Sequence, residues 1–131
     1  MKMNSKQAYI LVVDDGEDLR EMFAYYLARK GFRVSMARDG KEGLEKAFGV
    51  MPDLVLLDLW LPEISGLEVL HKLKSNASTT HNPVVVLTGY TMAPPLECDG
   101  FLTKPFQLAE LDAEITHRLN APARSSLRRS V

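Results

Sequence analysis

The sequence predicts one α/β domain, a doubly wound parallel sheet of five strands with helices on both faces. Three observations carry that expectation. Short apolar runs alternate along the chain with longer stretches of helical period. The runs are apolar at consecutive positions, as strands covered on both faces are. The 131 residues, 46% hydrophobic and 25% charged, suit a single ordinary globular domain and leave no room for a second, output-type domain.

The elements follow in order. Residues 1–6 are polar, with no apolar core behind them, and are expected to form a flexible start rather than a secretory signal. The folded domain is expected over 7–120. Its first strand covers 8–13. In the first helix Leu19, Met22, Phe23, Tyr26 and Leu27 fall on one face, and Gly31 caps its end. The second strand covers 32–36. Asp39, three residues ahead of Glu42, opens a second helix over 40–48, with a stripe of Leu44, Ala47, Phe48 and Met51 and with Gly49 and Pro52 ending it. A third strand lies at 54–57. Ser65 and Glu68 open a third helix that buries Leu67, Leu70 and Leu73 and runs to Ser75. The fourth strand covers 84–87.

The next crossover contains Pro94-Pro95, through which a helix of several turns cannot run, so its helix is short, displaced or absent. A short fifth strand at 100–102 and a last helix marked by Leu108, Leu111, Ile115 and Leu119 complete the domain before Pro122. Residues 121–131 show no stripe and are expected to form a disordered basic tail. No apolar run approaches the roughly 20 residues of a membrane span, so a cytoplasmic protein is expected.

Sixteen basic and seventeen acidic residues give a net charge of −1, which argues against direct nucleic-acid binding. The distribution is uneven: residues 1–117 carry a net −5, and Arg118, Arg124, Arg128 and Arg129 are the charges that follow. Cys98, the single cysteine, has no partner for a disulfide or a zinc site and is read as a packing residue. His71, His81 and His117 share no metal spacing.

In an open α/β sheet, ligands sit beyond the carboxyl ends of the strands. There the sequence is polar. The first strand ends in Asp14-Asp15, the third in Asp58, the fourth in Thr88, and the fifth leads into Lys104-Pro105. Singly, each has an ordinary use: an aspartate caps a helix, and a lysine before proline sits in solvent. Together, at four strand ends, they describe a site. Three carboxylates at one edge need a cation, and an all-oxygen set suits Mg²⁺ or another hard divalent ion.

These residues carry a resemblance. Ile10-Leu-Val-Val-Asp-Asp15, Asp58-Leu-Trp-Leu-Pro-Glu-Ile-Ser-Gly66, Val86-Leu-Thr-Gly89 and Phe101-Leu-Thr-Lys-Pro-Phe106 together resemble the receiver domains of the response regulators of two-component signalling, over about residues 7–119. The resemblance implies a flavodoxin-like sheet of order 2-1-3-4-5. It makes Asp58 the phosphoacceptor, taking its phosphoryl group from a sensor histidine kinase or a histidine phosphotransfer protein. It further implies Mg²⁺, or Mn²⁺ in its place, on Asp15, Asp58 and the backbone carbonyl of Trp60, with Asp14 acting through water. Lys104 and Thr88 would contact the phosphoryl group once it is in place, Phe101 would be the switch aromatic, and the Lys104–Pro105 bond would be cis. Trp60 and Tyr90 fall where water access to the phosphoryl group is governed, and both are bulky.

The expectation is thus a stand-alone regulator, monomeric and not a turnover enzyme, that signals to a downstream protein by contact. Its altered fourth crossover disturbs the face that the family commonly uses for dimerisation and output. Leu61 replaces the methionine usual before the loop proline, a change of little volume. A degenerate receiver serving as a phosphorylation-independent interaction module is the alternative. A flavin-mononucleotide protein of the same fold fits poorly, because the loop Asp-Asp-Gly-Glu-Asp is acidic where phosphate would bind. An aspartyl phosphatase is disfavoured too, since Gly16 and Trp60 stand where its second aspartate would.

Overall fold

The computed structural model describes residues 7–89 and 93–120. Five strands, β1 (Tyr9–Val13), β2 (Arg33–Ala37), β3 (Leu54–Asp58), β4 (Val84–Gly89) and β5 (Gly100–Lys104), form one sheet of order β2-β1-β3-β4-β5. All four pairings are parallel. The helices are α1 (Glu17–Arg29), α2 (Gly40–Val50), α3 (Gly66–Ser75) and α4 (Leu108–Asn120). Successive strand side chains point to opposite faces, so the apolar runs feed two cores. Leu11, Val13, Val55, Leu57, Val84 and Val86 meet α2 and α3 on one face. Ile10, Val12, Leu54, Leu56, Val85 and Leu87 meet Phe23, Leu27, Leu111 and Ile115 of α1 and α4 on the other. Among the described residues no helix is long and apolar enough to cross a membrane.

The helix starts follow their caps. The Asp39 side chain accepts from the Glu42 N–H at 2.8 Å, and the Ser65 hydroxyl accepts from the Glu68 N–H at 3.2 Å. Gly31, at φ 97°, turns the chain out of α1 in the left-handed region that glycine tolerates.

Several boundaries and faces differ from expectation. Gly49 does not end α2, which runs on to Val50 and stops at Met51, itself left-handed at φ 53°. The face of α2 that goes inward is Gly40, Gly43 and Ala47, while Phe48 and Met51 stay exposed. The cause is proximity: a Cβ on Gly43 would lie 3.0 Å from the Val13 methyls, so only small residues fit against β1. On α3, Val69, Leu70 and Leu73 are buried and Leu67 is not. Leu108 at the start of α4 is likewise exposed. The fifth strand is longer than expected, reaching Lys104, and β3 extends to Asp58.

Residues 93–99 of the fourth crossover form no helix. An ion pair anchors them instead. The Asp99 carboxylate accepts from the Val84 N–H and from the Lys74 ammonium, each at 2.7 Å. Lys74 also donates to the carbonyls of Asn82 at 2.9 Å and Thr80 at 3.3 Å. Cys98 packs against the core on that face. Residues 1–6 and 121–131, expected to be a flexible start and a tail, lie outside the described residues.

Candidate functional site

The carboxyl ends of β1, β3, β4 and β5 converge at one edge of the sheet. Asp14 follows β1 and is tied at four points. Its N–H donates to the Ala37 carbonyl at 3.0 Å, its Oδ1 accepts from the Gly16 N–H at 2.8 Å, its Oδ2 accepts from the Lys104 Nζ at 3.1 Å, and its own carbonyl accepts from the Arg20 guanidinium at 2.9 Å. Asp58 closes β3. Its Oδ1 accepts from the Trp60 N–H at 2.9 Å and its Oδ2 from the same Lys104 Nζ at 3.2 Å. Asp14 and Asp58 are buried, and Asp15 is exposed. Each of the three offers a carboxylate oxygen within 4.8 Å of the others.

A carboxylate in such a place is electrostatically uncomfortable. Burial pushes the Asp58 carboxyl above its ordinary pKa, and the Asp14 charge adds to this. The Trp60 N–H and the Lys104 ammonium offset only part of it. Burial also works against the Lys104 charge, but Asp14 and Asp58 outweigh it and hold the ammonium above its usual value. Lys104 therefore stays charged between the two buried carboxylates.

The donor set fits a hard divalent cation. It is all oxygen, and three carboxylates against one ammonium leave two negative charges at the site. Asp14, Asp15 and Asp58 of the expected ligand set are the three carboxylates of this cluster.

Lys104 already stands on Asp58, whereas the sequence reading gave it a role only after phosphorylation. The buried Thr88 hydroxyl points to β5, donating to the Leu102 carbonyl at 3.4 Å and the Thr103 Oγ1 at 3.5 Å. Phe101 is 44% exposed on β5, so it is not a permanently buried aromatic. Trp60 is 66% exposed. The Lys104–Pro105 bond is cis. Tyr90 lies outside the described residues. Sequence reasoning missed Arg20 and Gly16 as groups that hold Asp14. Their only signal is position, Gly16 at the N-cap of α1 and Arg20 one turn in.

Residues 10–116 match the family model of the response regulator receiver domain. The chain is 35% identical over 124 residues to the response regulator ArlR of Staphylococcus saprophyticus, covering 90% of this chain and 55% of that protein. It spans about half the length of the curated relatives it matches. Among solved structures, the chemotaxis response regulator CheY4 of Vibrio cholerae is similar at a TM-score of 0.80 and 28% identity, with 86% of this chain and 99% of that chain covered. The receiver domain of the sensor histidine kinase PA1611 of Pseudomonas aeruginosa, which holds a magnesium ion in its active-site cleft, shares the fold at a TM-score of 0.81 and 23% identity, over 88% of this chain and all of that one.

Proposed function

Because the chain belongs to the response regulator receiver domain family, we propose that it is a phosphoacceptor whose acceptor is Asp58. A carboxylate oxygen of Asp58 attacks the phosphorus of a phosphohistidine on a sensor kinase or phosphotransfer protein. The P–N bond breaks, histidine leaves, and an acyl phosphate remains. The observation that carries this reading is the buried carboxylate at the end of β3, held by one lysine and flanked by two further carboxylates.

Asp15, Asp58 and the Trp60 carbonyl would hold Mg²⁺, or Mn²⁺, with Asp14 fixing a water on it. The ion, when bound, offsets charge on the transferring oxygens. Lys104 is placed to follow the new phosphoryl group, since its ammonium is already 3.2 Å from the Asp58 Oδ2. Thr88 would exchange its two long contacts to β5 for a hydrogen bond to the phosphoryl group. Phe101 would turn inward into the space that Thr88 and its loop vacate. Trp60 would limit water at the acyl phosphate, which favours slow decay. The output is contact with a downstream protein, in the cytoplasm and without turnover chemistry.

Acetyl phosphate with Mg²⁺ is expected to add one phosphate to the wild-type chain, and Asp58→Asn to take none, as read by intact mass. Equal labelling of the variant would reject Asp58. Beryllofluoride with Mg²⁺ should bind the wild type, and a chain that ignores it would be an interaction module only.

A further inference from the structure

We infer that Arg20 is a positioning residue for the cation site: by holding the Asp14 carbonyl, its guanidinium fixes the peptide plane that carries Asp15 and so presents the Asp15 carboxylate to the metal. The inference rests on the metal-assisted reading above and gives a role to a residue outside its ligand set.

Of the three clustered carboxylates, two are restrained through their own oxygens. Both Asp14 oxygens and both Asp58 oxygens accept hydrogen bonds. Among the described residues nothing hydrogen-bonds the Asp15 carboxylate, which is exposed. Its placement therefore rests on the backbone that carries it and on its own rotamer. The peptide group joining Asp14 to Asp15 is planar, so the Asp14 C=O, the Asp15 N–H and the Asp15 Cα move as one unit that sets where the side chain starts. Arg20 holds that plane, with its Nη1 2.9 Å from the Asp14 oxygen. The arginine in turn is fixed by α1, whose Phe23 and Leu27 are buried in the core. The α1 start does not need the side chain, because the Arg20 N–H donates to the Gly16 carbonyl at 3.0 Å whatever residue stands there.

Two effects of the guanidinium oppose each other. As a positioning group it strengthens metal binding. As a positive charge near the cation it weakens it. The sign of the change on removal therefore separates the two roles.

Arg20→Met keeps an apolar stem and removes every donor, and Arg20→Lys returns one. Mg²⁺ binding can be titrated through the fluorescence of Trp60, the single tryptophan, whose N–H lies on Asp58. Arg20→Met is expected to weaken Mg²⁺ about tenfold, the scale on which outer-shell partners act on metal sites. Arg20→Lys should recover part of the loss. The metal-free melting point should stay near that of the wild type, and labelling by acetyl phosphate should return toward the wild-type rate at saturating Mg²⁺, which a damaged fold would not allow. Should Arg20→Met fold poorly, Arg20→Leu, which also lacks any donor, takes its place with the same reading. Unchanged or tighter Mg²⁺ binding in the variant, beside a responsive wild type, overturns this inference alone. A wild type that shows no Mg²⁺ response overturns both it and the functional reading.

Discussion

On the proposed reading Asp58 has conflicting requirements: it must be buried enough to share Lys104 with Asp14, yet charged enough to act as a nucleophile. Burial wins part of that contest and raises its pKa, with Asp14 adding to the shift. The folded chain then holds the Asp58 proton more tightly than the unfolded chain does. Between the ordinary aspartate pKa and the raised one, stability falls as pH rises, and above the raised value the loss is complete. Asparagine carries no such penalty. Without divalent ions and above the ordinary aspartate range, Asp58→Asn should melt above the wild type. The gap should close as pH is lowered toward the ordinary aspartate range. Thermal unfolding across pH checks this, and a gap indifferent to pH would refute it. The sequence placed Asp14, Asp15, Asp58, Thr88 and Lys104 at one edge because each terminates or follows an apolar run. It could not show which oxygens are already occupied. That depends on how far Lys104 reaches from β5 and on which way the Thr88 hydroxyl turns, neither of which a one-dimensional pattern encodes.

Among the elements, the strands and α1 were legible because their periodicity and their packing agree. The α2 face was legible only in part, since Leu44 and Ala47 of its expected stripe do pack inward. Hydrophobicity pointed Phe48 and Met51 inward, but the close approach to β1 admits only glycine and alanine there. The β3–α3 turn has a similar constraint. The Gly66 N–H donates to the Leu59 carbonyl at 3.1 Å, and any Cβ on Gly66 would collide with the backbone of Asp58 and Leu59. The fourth crossover was read from Pro94-Pro95, yet nothing in the sequence identified what fixes it. Lys74, whose side chain is 13% exposed, joins α3 to Asp99 just before β5. Lys74→Met removes the cation from a buried pair and should cost about 3 kcal/mol, the usual scale for leaving one buried charge behind. Urea unfolding measures it, and a loss below about 0.5 kcal/mol, ordinary for a surface substitution, would show the pair to be incidental.

At the scale of the whole molecule, the fourth crossover also bears on association. The dimer face expected from the resemblance includes the crossover between the fourth and fifth strands, where the described residues 93–99 form no helix. Sedimentation with and without beryllofluoride should therefore return a monomer in both states, and a tight activated dimer covering β5 and α4 would contradict this. The sheet order has one more consequence. Lys104 is made 90 positions after Asp14, and it comes from β5, a strand at one edge of the sheet. A growing chain therefore contains all three carboxylates before the lysine that lies between two of them. On the proposed reading the acceptor thus precedes its lysine in the chain, and the arrangement of the four groups is complete only once β5 pairs with β4.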